Sequence, residues 1–88
     1  MSWHVEFTKD ALKQLKKLDR PQAALILGWI RKNLEGCEDP RVHGKGLTAD
    51  RSGQWRYRVG DYRVIAHLED GRVTILVLDI GHRREVYD

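Results

Sequence analysis

The fold is decided by residues 55–80, WRYRVGDYRVIAHLEDGRVTILVLDI. This stretch contains three runs that are rich in β-branched and aromatic residues, a composition typical of β-strands. The runs cover residues 55–59, 62–68 and 73–80. Gly60-Asp61 and Asp70-Gly71 separate them, and both dipeptides suit tight two-residue hairpin turns. The stretch therefore predicts three consecutive antiparallel strands.

The N-terminal half predicts one strand followed by two helices. Residues 3–7 alternate between apolar and polar side chains, as a half-buried strand does. Thr8 is suited to cap the next helix, and Pro21 is favoured in the first turn of a second helix that ends at Gly36. Residues 37–54 predict an irregular connection. The order β-α-α-β-β-β predicts an α+β fold, a mostly antiparallel sheet with an N-terminal helical hairpin packed on one face.

Size and composition limit the class of protein. The chain has 88 residues, 41% of them hydrophobic and 33% charged, which predicts one globular domain over residues 1–88. Cys37 is the only cysteine, so an intramolecular disulfide and a multi-cysteine zinc site are excluded. No apolar run reaches the roughly 18–20 residues of a membrane span, and the four histidines lack metal-ligand spacing. We expect a cytoplasmic protein without a membrane partner, metal or cofactor.

Positive charge is concentrated in one part of the chain. Residues 41–63 contain six basic and two acidic residues, a net charge of +4, against +3 for the whole chain. The overall balance permits a nucleic-acid partner without requiring one. The concentration within one segment indicates that an anionic partner would bind there.

The first predicted hairpin groups arginines on one face of the sheet. Strand alternation points Arg56 and Arg58 to the same side. With Gly60-Asp61 as the whole loop, Arg58 lies opposite Arg63, and these three arginines form what we call the arginine face. Directly opposed like charges destabilise a hairpin by a few tenths of a kcal/mol to about 1 kcal/mol. The arrangement therefore suggests that an anion fills the space between them.

The second predicted hairpin brings the C-terminal segment to the same end of the sheet. With Asp70-Gly71 as its loop, Arg63 lies opposite Leu78, and residues 81–87 (GHRREVY) follow beside the arginine face. Guanidinium groups bind phosphate through paired donors, an aromatic ring stacks on a base, and a histidine such as His82 is a common proton-transfer group. These groups together predict cleavage of an RNA phosphodiester by its own 2′-OH, without a metal.

Three motifs give the chain a family resemblance. They are FTKDALKQLKKL (7–18), WRYRVGDYRVI (55–65) and GHRREVY (81–87), with Lys45-Gly46-Leu47 before the sheet. On these motifs the chain resembles the RelE/ParE superfamily of toxins from type II toxin–antitoxin systems. The resemblance implies a cognate antitoxin and a ribosome-dependent endoribonuclease that cuts mRNA in the A site without a metal. Operator DNA would be reached only through the antitoxin.

The resemblance also implies roles for individual residues. By motif position, Arg63 would bind phosphate, Arg83 would support the transition state, and Tyr87 would stack on the base. Arg56 and Arg58 stand where the best-studied members carry lysines. Because arginine stays protonated in proteins, the proton acceptor would lie elsewhere, and His82 or Glu85 is expected to serve. The predicted catalytic residues are Arg58, Arg63, His82, Arg83 and Tyr87. The predicted RNA- and phosphate-binding residues are Lys45, Arg56 and Arg84.

Two other functions fit the same resemblance. One is a ParE-type toxin that inhibits DNA gyrase by protein contact, for which convergence of the arginines, His82 and Tyr87 would serve no purpose. The other is a catalytically inactive protein that binds its antitoxin and modulates operator binding. The predicted convergence is the reason for placing the RNA-cleaving function first.

Overall fold

The computed structural model describes residues 2–47 and 53–82, which form two helices and a five-stranded sheet. The elements are β1 (His4–Phe7), α1 (Lys9–Lys16), α2 (Arg20–Asn33), β2 (Lys45–Gly46), β3 (Gln54–Val59), β4 (Tyr62–Glu69) and β5 (Thr74–His82). The strand order is β1-β5-β4-β3-β2, with β1 parallel to β5 and every other pair antiparallel. The predicted α+β class is confirmed. The short strand β2 was not predicted and lies in the connection expected to be irregular.

The helices begin where the sequence predicted. The Thr8 hydroxyl accepts the Ala11 N–H at 3.1 Å, which caps α1, and Pro21 lies in the first turn of α2. Buried side chains of both helices, among them Leu15 and Ile30, join those of the strands in one hydrophobic core. Within the described residues, neither helix is long and apolar enough to cross a membrane.

The first hairpin has the predicted register. Val59 pairs with Tyr62 across the turn, Arg58 with Arg63, and Arg56 with Ile65. Gly60 takes a positive φ of 60°, a conformation that glycine adopts without steric cost. The side of β3 that carries Val59 packs against the hydrophobic core, and we call this side of the sheet the core face. The arginine face is the opposite side of the sheet.

The second hairpin has a different register from the predicted one. Its connection is a 3-10 turn at Asp70–Arg72 followed by Val73 in the left-handed region, at φ 50°. Glu69 therefore pairs with Thr74, and the two-residue loop prediction is wrong. A distant part of the chain contacts this turn: Arg41 donates to both carboxylate oxygens of Asp70, at 3.0 and 2.9 Å.

A β-bulge moves the end of β5 by one further residue. The register shifts between Ile65 and Ala66, so that Leu78 of β5 has no opposite residue in the ladder. Arg63 consequently pairs with Gly81 rather than with Leu78, and Tyr62 pairs with His82. Each residue at the end of β5 thus lies three positions further from the first turn than the local turn rule predicts.

Candidate functional site

A groove on the arginine face gathers positive charge from two strands. Its volume is about 280 Å³, and its lining residues are Gly44, Lys45, Arg56 and Arg58. We call it the basic groove. Lys45 of β2 is the direct cross-strand partner of Arg56, and Arg58 lies two residues along the same side of β3. None of the described residues that line it is acidic, so the groove offers charge-assisted donors suited to a phosphate.

The backbone that carries Lys45 is held tightly against β3. The Trp55 indole N–H donates to the His43 carbonyl at 2.6 Å, and the Trp29 ring meets the His43 ring edge-on at 5.7 Å. Gly44 has φ 72°, and a Cβ added there would overlap the Arg56 carbonyl oxygen. Only glycine allows this close approach, which brings Lys45 into register with Arg56. No role was assigned to Gly44 from the sequence. Its position directly before Lys45, a predicted RNA-binding residue, was the signal that could have indicated one.

Tyr57 anchors the base of the same segment from the core face. Its hydroxyl donates to the Pro40 carbonyl at 2.8 Å, and its side chain is fully buried. Burial raises the pKa of Tyr57 well above its usual range, so the phenol stays protonated and keeps its donor. This bond ties the 3-10 turn Pro40–Val42 to β3 and thereby limits movement of the loop that leads into the groove.

Arg63 lies behind Arg58 on the arginine face and is buried. Only 1% of its surface is exposed, whereas its cross-strand partner Arg58 is exposed. Sequence reasoning predicted the shared face correctly and did not predict the burial. Its guanidinium adds positive charge on the strand next to Arg58, which lines the groove. The structure thus brings together four of the predicted site residues: Lys45, Arg56, Arg58 and Arg63.

His82 lies at the same end of the sheet, on the other side. It pairs with Tyr62, which pairs with Val59 of the core face, and the His82 and Tyr62 rings meet edge-on at 5.6 Å. A second cavity of about 430 Å³ there includes His82, Lys17 and Asp79 in its lining. His82 therefore reaches the predicted end of the sheet, but the longer turn and the bulge change the register of β5 and place it on the core face rather than beside the arginines.

The remaining predicted site residues lie outside the described residues. They are Arg83, Arg84, Glu85 and Tyr87. Within residues 2–47 and 53–82, no group of three His, Cys, Asp or Glu side chains could hold a metal ion. Burial, followed by the nearby Asp39 carboxylate, raises the pKa of the Cys37 thiol, which disfavours the nucleophilic thiolate. The described chemistry of the site is therefore that of the basic groove.

Comparison with known protein families gives a match over almost the whole chain. The family described as ParE toxin of type II toxin–antitoxin system, parDE, matches residues 5–87. Among curated proteins, the chain is 29% identical to Toxin RelG of Mycobacterium tuberculosis, covering 99% of this chain and 98% of that protein. It is 31% identical to Toxin RelE of the same organism, covering 97% of this chain and 86% of that protein.

Solved structures share the same fold. The toxin–antitoxin complex RelBE2 of M. tuberculosis contains a chain with a TM-score of 0.85 and 28% identity, covering 94% of this chain and all of that one (100%). The archaeal RelE–RelB complex of Pyrococcus horikoshii gives a TM-score of 0.71 at 28% identity, covering 98% and 100%. The isolated RelE toxin of Escherichia coli, at 18% identity and a TM-score of 0.71, covers 92% of this chain and 84% of that one. This last likeness is one of fold alone.

Proposed function

This chain belongs to the ParE toxin family of type II toxin–antitoxin systems, and we propose that it acts by cutting mRNA in the A site of the ribosome. The observation that carries the proposal is the basic groove. Lys45, Arg56 and Arg58 line one groove of about 280 Å³, and buried Arg63 lies beside it. Lysine and arginine side chains gathered on one face are suited to bind an anionic nucleic-acid backbone.

The groove suits the chemistry of RNA self-cleavage. The two guanidiniums bind the non-bridging oxygens of one phosphate through paired donors. The 2′-OH attacks phosphorus, the bond to the 5′-oxygen breaks, and the products are a 2′,3′-cyclic phosphate and a 5′-hydroxyl. Positive charge around the phosphate stabilises the negative charge that develops in the transition state. By motif position, Arg83 and Arg84 add further cationic contacts, and Tyr87 stacks on a base.

The proposed partners follow from the family and from the solved complexes. The structures similar to this chain include RelE toxins bound to RelB antitoxins, so we infer a cognate antitoxin for this toxin. Its binding segment is expected to be acidic or amphipathic and to cover the arginine face or the two helices. Ribosome and mRNA are the targets, operator DNA is contacted only through the antitoxin, and the site of action is the cytoplasm.

Primer extension on mRNA in a translating extract tests the proposal. The wild-type chain is expected to produce cuts within codons, in the reading frame, with cyclic phosphate ends that persist in the presence of a metal chelator. Arg56→Gln and Arg58→Gln should each weaken cleavage strongly, by roughly 100-fold for a donor to the developing charge. Lys32→Gln, an exposed charge in the last turn of α2, is the matched control and should cleave normally. Absence of cuts from the wild-type chain would contradict the proposal.

The description of the matched family favours a second candidate, a ParE-type inhibitor of DNA gyrase. That activity works through protein contact and needs no phosphate-binding groove. Arg58→Gln should then leave toxicity unchanged, and cells should show DNA damage with gyrase trapped on DNA rather than cut mRNA. A catalytically inactive antitoxin-binding protein would produce neither effect, nor any arrest of growth.

A further inference from the structure

RNA cleavage in the basic groove requires a group that takes the proton from the attacking 2′-OH. Arg56 and Arg58 cannot do so, because guanidinium groups stay protonated in proteins. Of the two acceptors expected from the sequence, His82 lies beside Tyr62 on the core face, across the sheet from the groove, and Glu85 lies outside the described residues. Among the described residues lining the groove, Lys45 is the one that carries an amine, a group that serves as a general base in other enzymes.

We propose that Lys45 is the proton acceptor of the cleavage reaction, a role that rests on the proposed function. Lys45 of β2 lies directly opposite Arg56 of β3, so the two side chains leave the sheet next to each other and on the same face. Its amine, at the end of a flexible stem, is exposed to an entering substrate. This pairing puts the base and the phosphate-binding guanidinium on adjacent strands of one groove, so both can reach the same nucleotide.

The local backbone supports this role. The Trp55 indole N–H holds the His43 carbonyl at 2.6 Å, and Gly44 packs against the Arg56 backbone in a left-handed conformation that a side chain would prevent. These two contacts fix the residues immediately before Lys45 to β3, the strand that presents the guanidiniums. The backbone that carries Lys45 is therefore held against β3, which limits the separation of Lys45 from the strand that presents the guanidiniums.

The proton balance of the step is simple. The neutral amine of Lys45 takes the proton of the 2′-OH and becomes an ammonium as the O2′–P bond forms. The P–O5′ bond breaks, the 5′-oxygen takes a proton from water, and the ammonium returns its proton to solvent. No net proton is consumed. The described charged groups that line the groove with Lys45 are Arg56 and Arg58, which stay protonated. The cleavage rate should therefore rise with pH, because the step begins from the neutral amine.

Single-turnover cleavage of a short mRNA on purified ribosomes tests the role of Lys45. Lys45→Arg keeps the positive charge and removes the exchangeable amine, so binding to the programmed ribosome should be unchanged. Its cleavage rate should fall by about 100-fold or more, the usual contribution of a general base. Lys32→Arg is the matched control and should cleave at the wild-type rate. A Lys45→Arg chain that cleaves at the wild-type rate with an unchanged pH profile would overturn the proposal.

Chemical rescue separates proton transfer from simple loss of charge. Lys45→Ala should regain cleavage when a small primary amine is added, and the regained rate should increase with the basicity of the amine. Tetramethylammonium, a cation without a proton to exchange, should give no rescue. Rescue by both compounds alike would overturn the role by showing that only charge is needed.

His82→Gln tests the competing acceptor. We expect it to keep the pH dependence of the wild-type rate. A flattened pH profile in His82→Gln, with a normal profile in Lys45→Arg, would transfer the role to His82 and overturn the proposal. If the wild-type chain cuts no RNA, the proposed function fails and this role fails with it. If the wild-type chain cuts and Lys45→Arg cuts equally, only this role fails.

Discussion

The two hairpins share β4 but are held together by different kinds of contact. The β3–β4 turn consists of Gly60 and Asp61, with Gly60 in the positive-φ conformation that a tight turn requires. The β4–β5 connection spans residues 70–73. Its Asp70 carboxylate accepts two hydrogen bonds from Arg41, which is 29 positions away in the sequence. The second connection therefore combines local bonds, such as that of Arg72 to Glu69, with a long-range contact that the first turn does not show.

This difference bears on the basic groove and on the cavity at His82, because each hairpin contributes to one of them. The first hairpin presents Arg56 and Arg58 to the basic groove in the register that its own sequence dictates. The other hairpin carries His82 past the bulge and onto the core face, beside Tyr62. A catalytic group is thus more securely predicted from the first hairpin than from the second.

The largest expected effect comes from breaking the opposed arginine pair of the first hairpin. On the proposed function, Arg58→Gln removes a donor to the developing phosphate charge and should lower cleavage by roughly 100-fold. The same change removes a like charge opposite buried Arg63, so the free energy of unfolding should rise by a few tenths of a kcal/mol to about 1 kcal/mol. Cleavage assays and urea denaturation measure the two effects separately. Loss of stability together with activity would show that Arg58 supports the fold rather than the chemistry.

A pair of glycine substitutions compares the two regions directly. Gly44→Ala forces a side chain into the left-handed region and onto the Arg56 carbonyl oxygen, and should cost about 2 kcal/mol or more. Gly71, in the turn of the second hairpin, has a normal φ, and among the described residues nothing lies within 4 Å of an added Cβ. Gly71→Ala should therefore be neutral or stabilise by up to about 1 kcal/mol, because it restricts the unfolded chain. Urea denaturation gives both values, and equal destabilisation by the two changes would contradict the comparison.

Local sequence rules predicted the parts of the fold that depend on local contacts. The Thr8 cap, the break at Pro21 and the Gly60-Asp61 turn each depend on residues within a few positions of one another. The strand β2 escaped these rules because two residues carry no periodic pattern. Its pairing with β3 depends on Gly44 fitting against the Arg56 backbone, a contact that only the folded chain contains.

The candidate site was predicted in part for the same reason. Alternation along a single strand places Arg56 and Arg58 together, and the local turn adds Arg63. The burial of Arg63 could not be predicted, because arginine is ordinarily exposed and its surroundings here come from neighbouring strands. The predicted position of His82 was wrong because neither the longer turn nor the bulge at Leu78 was predicted. The bulge alone shifts the register by one residue, which already moves a strand residue to the opposite face.

The smallest expected effect concerns the long-range contact of the second turn. The Arg41 side chain, donating to Asp70, lowers the pKa of that carboxyl group below its usual value. A carboxyl group whose pKa is lowered by folding stabilises the native state above its unfolded pKa of about 4 and loses that contribution as the pH falls. Asp70→Asn should therefore lower the Tm slightly near neutral pH and leave it unchanged in acid.

Both partners of this ion pair are largely exposed, so the difference in Tm should also shrink when salt is added. Thermal unfolding of the wild-type and Asp70→Asn chains across pH and salt concentration measures this difference in Tm. Asp19→Asn is the matched control, because the Asp19 carboxylate is exposed and makes no capping bond to α2. The register of the second hairpin provides a sharper readout. If cross-strand nuclear Overhauser contacts between Tyr62 and His82 persist in Asp70→Asn, the bulge sets the register of β5 without help from the turn. If the strand slips, the ion pair is what distinguishes this hairpin from the first.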